Sequence, residues 1–450
     1  MDTKDWFVKR IPPQYRAISV ITAGVCLQFS YGLVYTFGNI LPYLVSYLRW
    51  KVNPQQTNGS LMWLQSFMSG LPFAMLLGGV LEKEVGARTG AAIGSAMYCG
   101  GILFSFFSIQ VSFYWLLVTT GLIASFGQGM AYVNVLTQCQ RWMPKNVGFV
   151  SGLITAGFGS GAFLLSPIQT KFINPNNLKV DDEGFFTQPE ILERVPYLFL
   201  LMGGMFAVIQ TIGLLFIAEP VQESDGQESQ SLMAADGDSD DEDEGQNDQL
   251  GSTILSKEEI LKSPTFIILF FTLTCNAIWV QTTSGLFKAY AQSFIKDDFF
   301  LTTVNSFAAI ANCLSRVFWG YIADRSSYQL AMSIACTMGA VLMWGLPFVK
   351  YVASPSLFFI WICAMFVGIG ATYCLIPYAI HKCFGSANFA ITYGFCQLCL
   401  AISGVLTALN SQFILAMIGF DELFLITGFT MAISLILTLL ISKTKYGANA

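Results

Sequence analysis

Arg316 is a guanidinium set in an apolar stretch, 302–322, that contains no Asp, Glu or Lys. Its charge cannot be removed at accessible pH. Placing such a group in hydrocarbon costs from ~2.5 to more than 10 kcal/mol, so it has to face protein or water and find a partner. The partner is a backbone carbonyl, a polar side chain, or an anion that arrives from solution. A carboxylate fits the last role, because the planar fork of N–H donors grips it in bidentate fashion. At helical spacing Asn305, Ala309, Asn312 and Arg316 share one narrow face, and Phe307, Leu314 and Phe318 cover the opposite side. The polar stripe is expected to line a cavity. A second reading stays open, since Arg316 lies only ~9 Å from the expected end of its segment, within reach of a snorkelling side chain.

Polar residues on other apolar segments could complete such a pocket: Tyr35, Gln65, Tyr132, Gln281, Tyr373 and Gln397. A tyrosine pairs an apolar body with one hydrogen-bonding tip. Each of these side chains could equally serve as a hydrogen bond between helices. The single histidine, His381, sits beside Lys382 and reads as a solvated boundary residue. Its neighbours in sequence offer no carboxylate, so enzymatic chemistry is not expected.

These residues need elements to hold them. Of 450 residues, 54% are hydrophobic and 11% charged, with a mean hydropathy of +0.58. Such a composition excludes a soluble enzyme, a disordered chain, a collagen and a small disulfide scaffold. It predicts an all-α membrane protein. Apolar segments long enough to cross a bilayer fall near 17–48, 60–81, 89–109, 113–138, 148–170 and 195–217, then 265–287, 302–322, 329–349, 356–380, 387–415 and 423–441. The reading is therefore twelve transmembrane helices in two six-helix halves, 17–217 and 264–442. Residues 1–16 and 443–450 are the termini. With those limits Arg316 is the only Asp, Glu, Lys or Arg inside a span.

Basic residues gather on cytoplasmic connections. With both termini inside, fourteen Lys and Arg fall on that side, against eight outside: Arg49, Lys51, Lys171, Lys179, Arg194, Lys288, Lys296 and Lys350. The bias favours cytoplasmic termini. Residues 218–263 join the halves, with twelve acidic residues between Glu219 and Asp248. Low hydrophobicity with high charge predicts a disordered cytoplasmic linker. Ser239 in its acidic run offers a phosphorylation acceptor, so the linker could meet a kinase or another cytoplasmic partner, or serve as a charged spacer. The N-terminus lacks the pattern of a cleaved signal peptide. No metal, cofactor or nucleic acid is expected, and a single chain suffices.

Gly320-Tyr-Ile-Ala-Asp324-Arg325 resembles the signature loop of the major facilitator superfamily. Its first-half counterpart runs from Gly79 to Arg88, with Lys83 and Glu84 in reversed charge order. A closer resemblance lies in Gly127-Gln-Gly129-Met-Ala-Tyr132, Arg141-Trp142-Met-Pro144-Lys145 and the run Gly157-Phe158-Gly159-Ser-Gly161. Ser263-Pro264, Asn312 through Arg316, Ile376-Pro377 and Tyr393-Gly394 agree with it. Together these are similar to the oxalate/formate antiporter family and the related monocarboxylate transporters.

The resemblance implies two rocking halves around a central site, and gating roles for Asp324, Arg325, Lys83, Glu84 and Arg88. It also places Tyr35, Tyr132 and Tyr373 at pocket positions. The lysine that the oxalate transporter carries on its eleventh span is replaced by Leu400, which favours a monoanion over a dianion. Asn312 stands where monocarboxylate transporters have an aspartate. The expectation is a secondary transporter of small organic anions of the lactate, pyruvate or formate kind, with Arg316 as counter-charge. Alternatives are a dicarboxylate, an amino acid, or a sensor or scaffold that moves nothing. A plasma membrane is expected first and an organelle membrane second. With no carboxylate or lysine in any span, uniport or exchange is expected at least as strongly as proton coupling.

Overall fold

Polar caps and prolines mark where helices begin. Ser263, Ser327 and Ser354 accept backbone N–H groups at the starts of Pro264–Ala291, Tyr328–Val352 and Pro355–Gln397, and Asp297 does so for Asp298–Arg325. Pro264 and Pro355 occupy first-turn positions, where a missing N–H is no loss. The computed structural model describes residues 3, 5–69, 72–143, 147–220 and 256–447. Among them the chain is helical throughout, with no strand beyond an isolated bridge from Thr3 to Pro220.

Among the described residues eight helices are long and apolar enough to cross a membrane, and nine if the bent pair Tyr328–Trp344 and Leu346–Val352 counts as one span. Asp298–Arg325 is long, but Asn305, Asn312, Ser315 and Arg316 lower its hydropathy. Asn58–Ser69 and Pro72–Val85 are short pieces of 12 and 14 residues. Of the acidic linker expected over 218–263, residues 221–255, Ser239 included, lie outside the described residues, whereas its last part is ordered: Ser256 and Glu259 cap a short helix, Lys257–Lys262.

One long helical assignment hides a break. Pro355–Gln397 is two helices joined across Gly385, whose φ of 75° only glycine adopts without strain. The first helix also changes character: Pro13–Tyr31 passes through a 3-10 segment, Gly32–Thr36, into Phe37–Lys51. That tighter turn carries Tyr35. It packs where Gly32 meets Gly161 of Val147–Ile173, and a Cβ on Gly32 would come 2.8 Å from the Gly161 Cα. Gly161→Leu is expected to overpack this crossing by ~1–3 kcal/mol, read as a lowered unfolding temperature in detergent.

The two halves meet along paired helices: Phe37–Lys51 against Pro264–Ala291, Val147–Ile173 against Asp298–Arg325, and Asn58–Ser69 against Cys399–Leu409. The first and last described segments lie at one face. There Thr3 donates to the Glu219 carbonyl at 2.6 Å, and Thr265 donates to Thr444 at 2.8 Å. The opposite face, called here the far face, is tied across the halves. Trp63 donates to Gln412 at 2.6 Å, Thr170 meets Thr302 at 2.8 Å, and Asn177 donates to Asp297 at 3.0 Å.

The sequence reading left every span without an acid or a lysine, and put Lys288 in an outer connection. The structure corrects this. Pro264–Ala291 extends past the apolar window and includes Lys288 at 0% exposure, while Asp298 opens the next helix at 3%. Their charges face each other at 2.7 Å, which is what makes burial of both tolerable.

Candidate functional site

Arg316 reaches from Asp298–Arg325 toward the first half. Its Nη2 donates to the Tyr35 hydroxyl at 3.2 Å and its Nε to Asn312 Oδ1 at 3.4 Å, one turn back on its own helix. The guanidinium carbon lies 5.2 Å from the centre of the Tyr373 ring. All these partners are neutral. Gly159 lies beside the group: a Cβ there would make an ordinary contact, 3.8 Å from Nη2.

The surrounding tyrosines are held by other aromatic and polar groups. Phe158 contacts Tyr35 and Tyr132 edge to face, with centroids 5.3 and 5.7 Å apart, and Tyr132 hydrogen-bonds Thr155. Tyr393 stands close enough to Tyr132 and Arg316 to interact with both, and it shares a hydrogen bond with Gln397. Asn305, Ala309 and Asn312 are buried at 1%, 3% and 2%, whereas Phe307, Leu314 and Phe318 are exposed on the opposite side. Helical periodicity thus aims the polar stripe at the seam between the halves.

The other expected pocket residues separate into two groups. Tyr35, Tyr132, Tyr373 and Asn312 gather around Arg316, and Gln397 joins through Tyr393. Gln65 and Gln281 lie instead where Asn58–Ser69 and Pro264–Ala291 meet their neighbours. Gln65 donates to Ser284 at 2.9 Å and Gln281 to Ser403 at 3.5 Å. The side-chain carbonyls of Gln65, Gln281 and Gln397 are buried and accept no hydrogen bond. Leu400, where a second cation was looked for, offers its carbonyl to Ser403 at 3.0 Å.

The expected gating residues are dispersed at the face of the chain ends. Asp324 and Arg325 are exposed, and Arg325 stacks 4.7 Å over Tyr321. Arg88 ties the first half to itself: it donates to the Leu214 carbonyl at 2.8 Å, to the Leu215 carbonyl and to Asp5. Glu84 is exposed, and the Lys83 side chain lies outside the described residues. His381 is exposed as well. Sequence reasoning missed Phe158 and Tyr393 as supports of the tyrosine ring, although Tyr393 stands inside a motif it had singled out. It also missed Lys288 and Asp298, for which no local signal existed.

A half-buried guanidinium with neutral partners, set between two helical halves, can bind and release an anion without a covalent step. Comparison with known proteins agrees with that architecture. Apicoplast pyruvate carrier 1 of Toxoplasma gondii is 24% identical over 486 aligned positions, covering 94% of this chain and 88% of that protein. The oxalate:formate antiporter of Oxalobacter formigenes is 24% identical over 360, covering 79% and 76%. Among solved structures, the inward open xylose transporter XylE of E. coli superposes with a TM-score of 0.69 at 11% identity, covering 96% of this chain and 98% of that one. The family profile of the Major Facilitator Superfamily matches residues 22–408. With the fold, the seam between the halves and this match agreeing, the chain is a multi-pass membrane transporter of the Major Facilitator Superfamily, not an enzyme.

Proposed function

We propose that the chain is a secondary carrier of small organic monoanions, a monocarboxylate of the pyruvate, lactate or formate kind, working by alternating access with Arg316 as the counter-charge. In this reading twelve helices span the membrane in two halves of six, and both termini are cytoplasmic. The observation that carries it is the Arg316 guanidinium, held at the seam by neutral Tyr35 and Asn312 with no carboxylate among the described residues paired to it. A monoanion between Arg316 and the tyrosine hydroxyls would neutralise the cavity and lower the cost of closing a dry site around it. One cation matches one negative charge. The apolar Leu400 offers a dianion nothing further. The names of the relatives, a pyruvate carrier and an oxalate:formate antiporter, point to small carboxylates, and pyruvate and formate among them are monoanions.

Proteoliposomes test this directly. Saturable uptake of labelled pyruvate, lactate or formate is expected, with oxalate taken up more weakly. Absence of saturable flux for every anion on that panel would reject the proposal. Repeating the uptake with and without an imposed pH gradient, and with anion loaded inside, separates uniport, proton symport and exchange.

A further inference from the structure

Lys288 and Asp298 form a fully buried ion pair that the anion site does not use. Both belong to the second half, on either side of the connection 292–297. Their remaining side-chain partners come from the first half. The Lys288 ammonium donates to the Asn39 carbonyl at 3.2 Å and to its side-chain oxygen at 2.8 Å, and lies 4.8 Å over the Tyr43 ring. Asp298 Oδ2 accepts from the Tyr43 hydroxyl and from Asn174 at 2.9 Å. Opening the far face has to break all of these contacts except the ion pair itself. A buried pair is weak evidence for stability, and its best-attested use is as a device that registers or switches packing.

We propose that this cluster is a proton-binding latch: it holds the far faces of the two halves together while Asp298 is ionised, and lets them part when a proton from the far side binds that carboxylate. The chemistry is one proton added to one carboxylate oxygen, with no other bond made or broken. Protonation removes the counter-charge of Lys288 and weakens the acceptor shared by Tyr43 and Asn174, because hydrogen bonds to an ionised group are the stronger ones.

The charged and titratable groups facing Asp298 are Lys288 from Pro264–Ala291 and Tyr43 from Phe37–Lys51; Asn174, just beyond Val147–Ile173, is neutral. Around this ring, Lys171 lies 5.4 Å over the Phe299 ring and Asp297 accepts from Asn177. Lys296 donates to Asp182 at 2.8 Å and holds that exposed carboxyl below its usual range. On the other flank of Pro264–Ala291, Lys350 pairs with Asp421, which also accepts from Tyr290.

The sign follows from which form the latch binds. The closed latch holds the ionised carboxylate, so it carries fewer protons than the opened one. Closure is therefore favoured as pH rises and weakened as pH falls. The latch goes beyond the proposed cargo: it requires only that the halves separate at the far face.

Distances between nitroxide labels at Gln55→Cys and Met417→Cys, exposed positions of opposite halves at the far face, provide the test. Signal from native thiols is subtracted with the chain that lacks the two reporters. No substrate is added, so the outcome is independent of whether any anion is carried. At pH 7.5 a single short distance is expected, with a longer population growing as pH falls to 4. Asp298→Asn, which mimics the protonated state, is expected to show the longer population already at pH 7.5 and to lose the pH response. The open-to-closed ratio should rise roughly tenfold or more, the size of one hydrogen bond to a charged group. Tyr43→Phe leaves no charge unpaired and should shift the ratio in the same direction by less, which covers a failure of Asp298→Asn to fold. An unchanged distance in Tyr43→Phe, or a pH response that survives in Asp298→Asn, would overturn the proposal.

Discussion

Arg316→Ala is expected to abolish saturable anion uptake while leaving the fold intact. Truncating one member of a desolvated charge pair costs about 2–5 kcal/mol, which is roughly 30- to several-thousand-fold in binding. Loss of the side chain leaves Tyr35 and Asn312 as neutral donors and acceptors that a carboxylate can find equally well in water. Arg316→Lys keeps the charge and loses the fork, so it should retain a small fraction of uptake with a raised half-saturation concentration. Leu314→Ala, on the exposed face of the same helix, is the control and should transport normally. Uptake by Arg316→Ala at the wild-type rate would remove the counter-charge from the mechanism.

The second large effect is expected on stability. Lys288→Met or Asp298→Leu alone leaves one uncompensated charge where exposure is nearly zero, a situation that costs about 3–5 kcal/mol. The double variant Lys288→Met with Asp298→Leu removes both charges and should recover most of that loss. Thermal unfolding in detergent at a fixed scan rate reads the comparison, with the double variant close to wild type and each single variant well below it. Additive losses in the double variant would show that the two charges do not act as a pair.

The arginine site was legible in the sequence because a permanent charge in a long apolar segment is expensive and has few explanations. Its neighbours followed from helical spacing and from motifs that resemble the family. Tyr35, Tyr132 and Tyr373 lie on three separate helices, and only tertiary packing could show that Phe158 braces two of them. Lys288 and Asp298 escaped for a different reason. A hydropathy window ends a span where charge begins, so each residue was assigned to a connection although both lie inside the packed protein. Their partners Asn39, Tyr43 and Asn174 are more than a hundred residues away in sequence, and nothing local announces them. The break at Gly385, by contrast, was legible: the expected spans 356–380 and 387–415 leave 381–386 as a connection, and the glycine in it takes the positive φ of 75°.

The neutral ring around Arg316 also bears on how the carrier returns after delivering its cargo. An empty transporter has to seal an uncompensated positive charge away from water in order to turn round, whereas one that picks up a second anion from the opposite side does not. Turnover should therefore run faster when a counter-ion waits across the membrane. A protein built this way is expected to act most readily as a swapper of like for like, trading acids between compartments in preference to emptying one into the other.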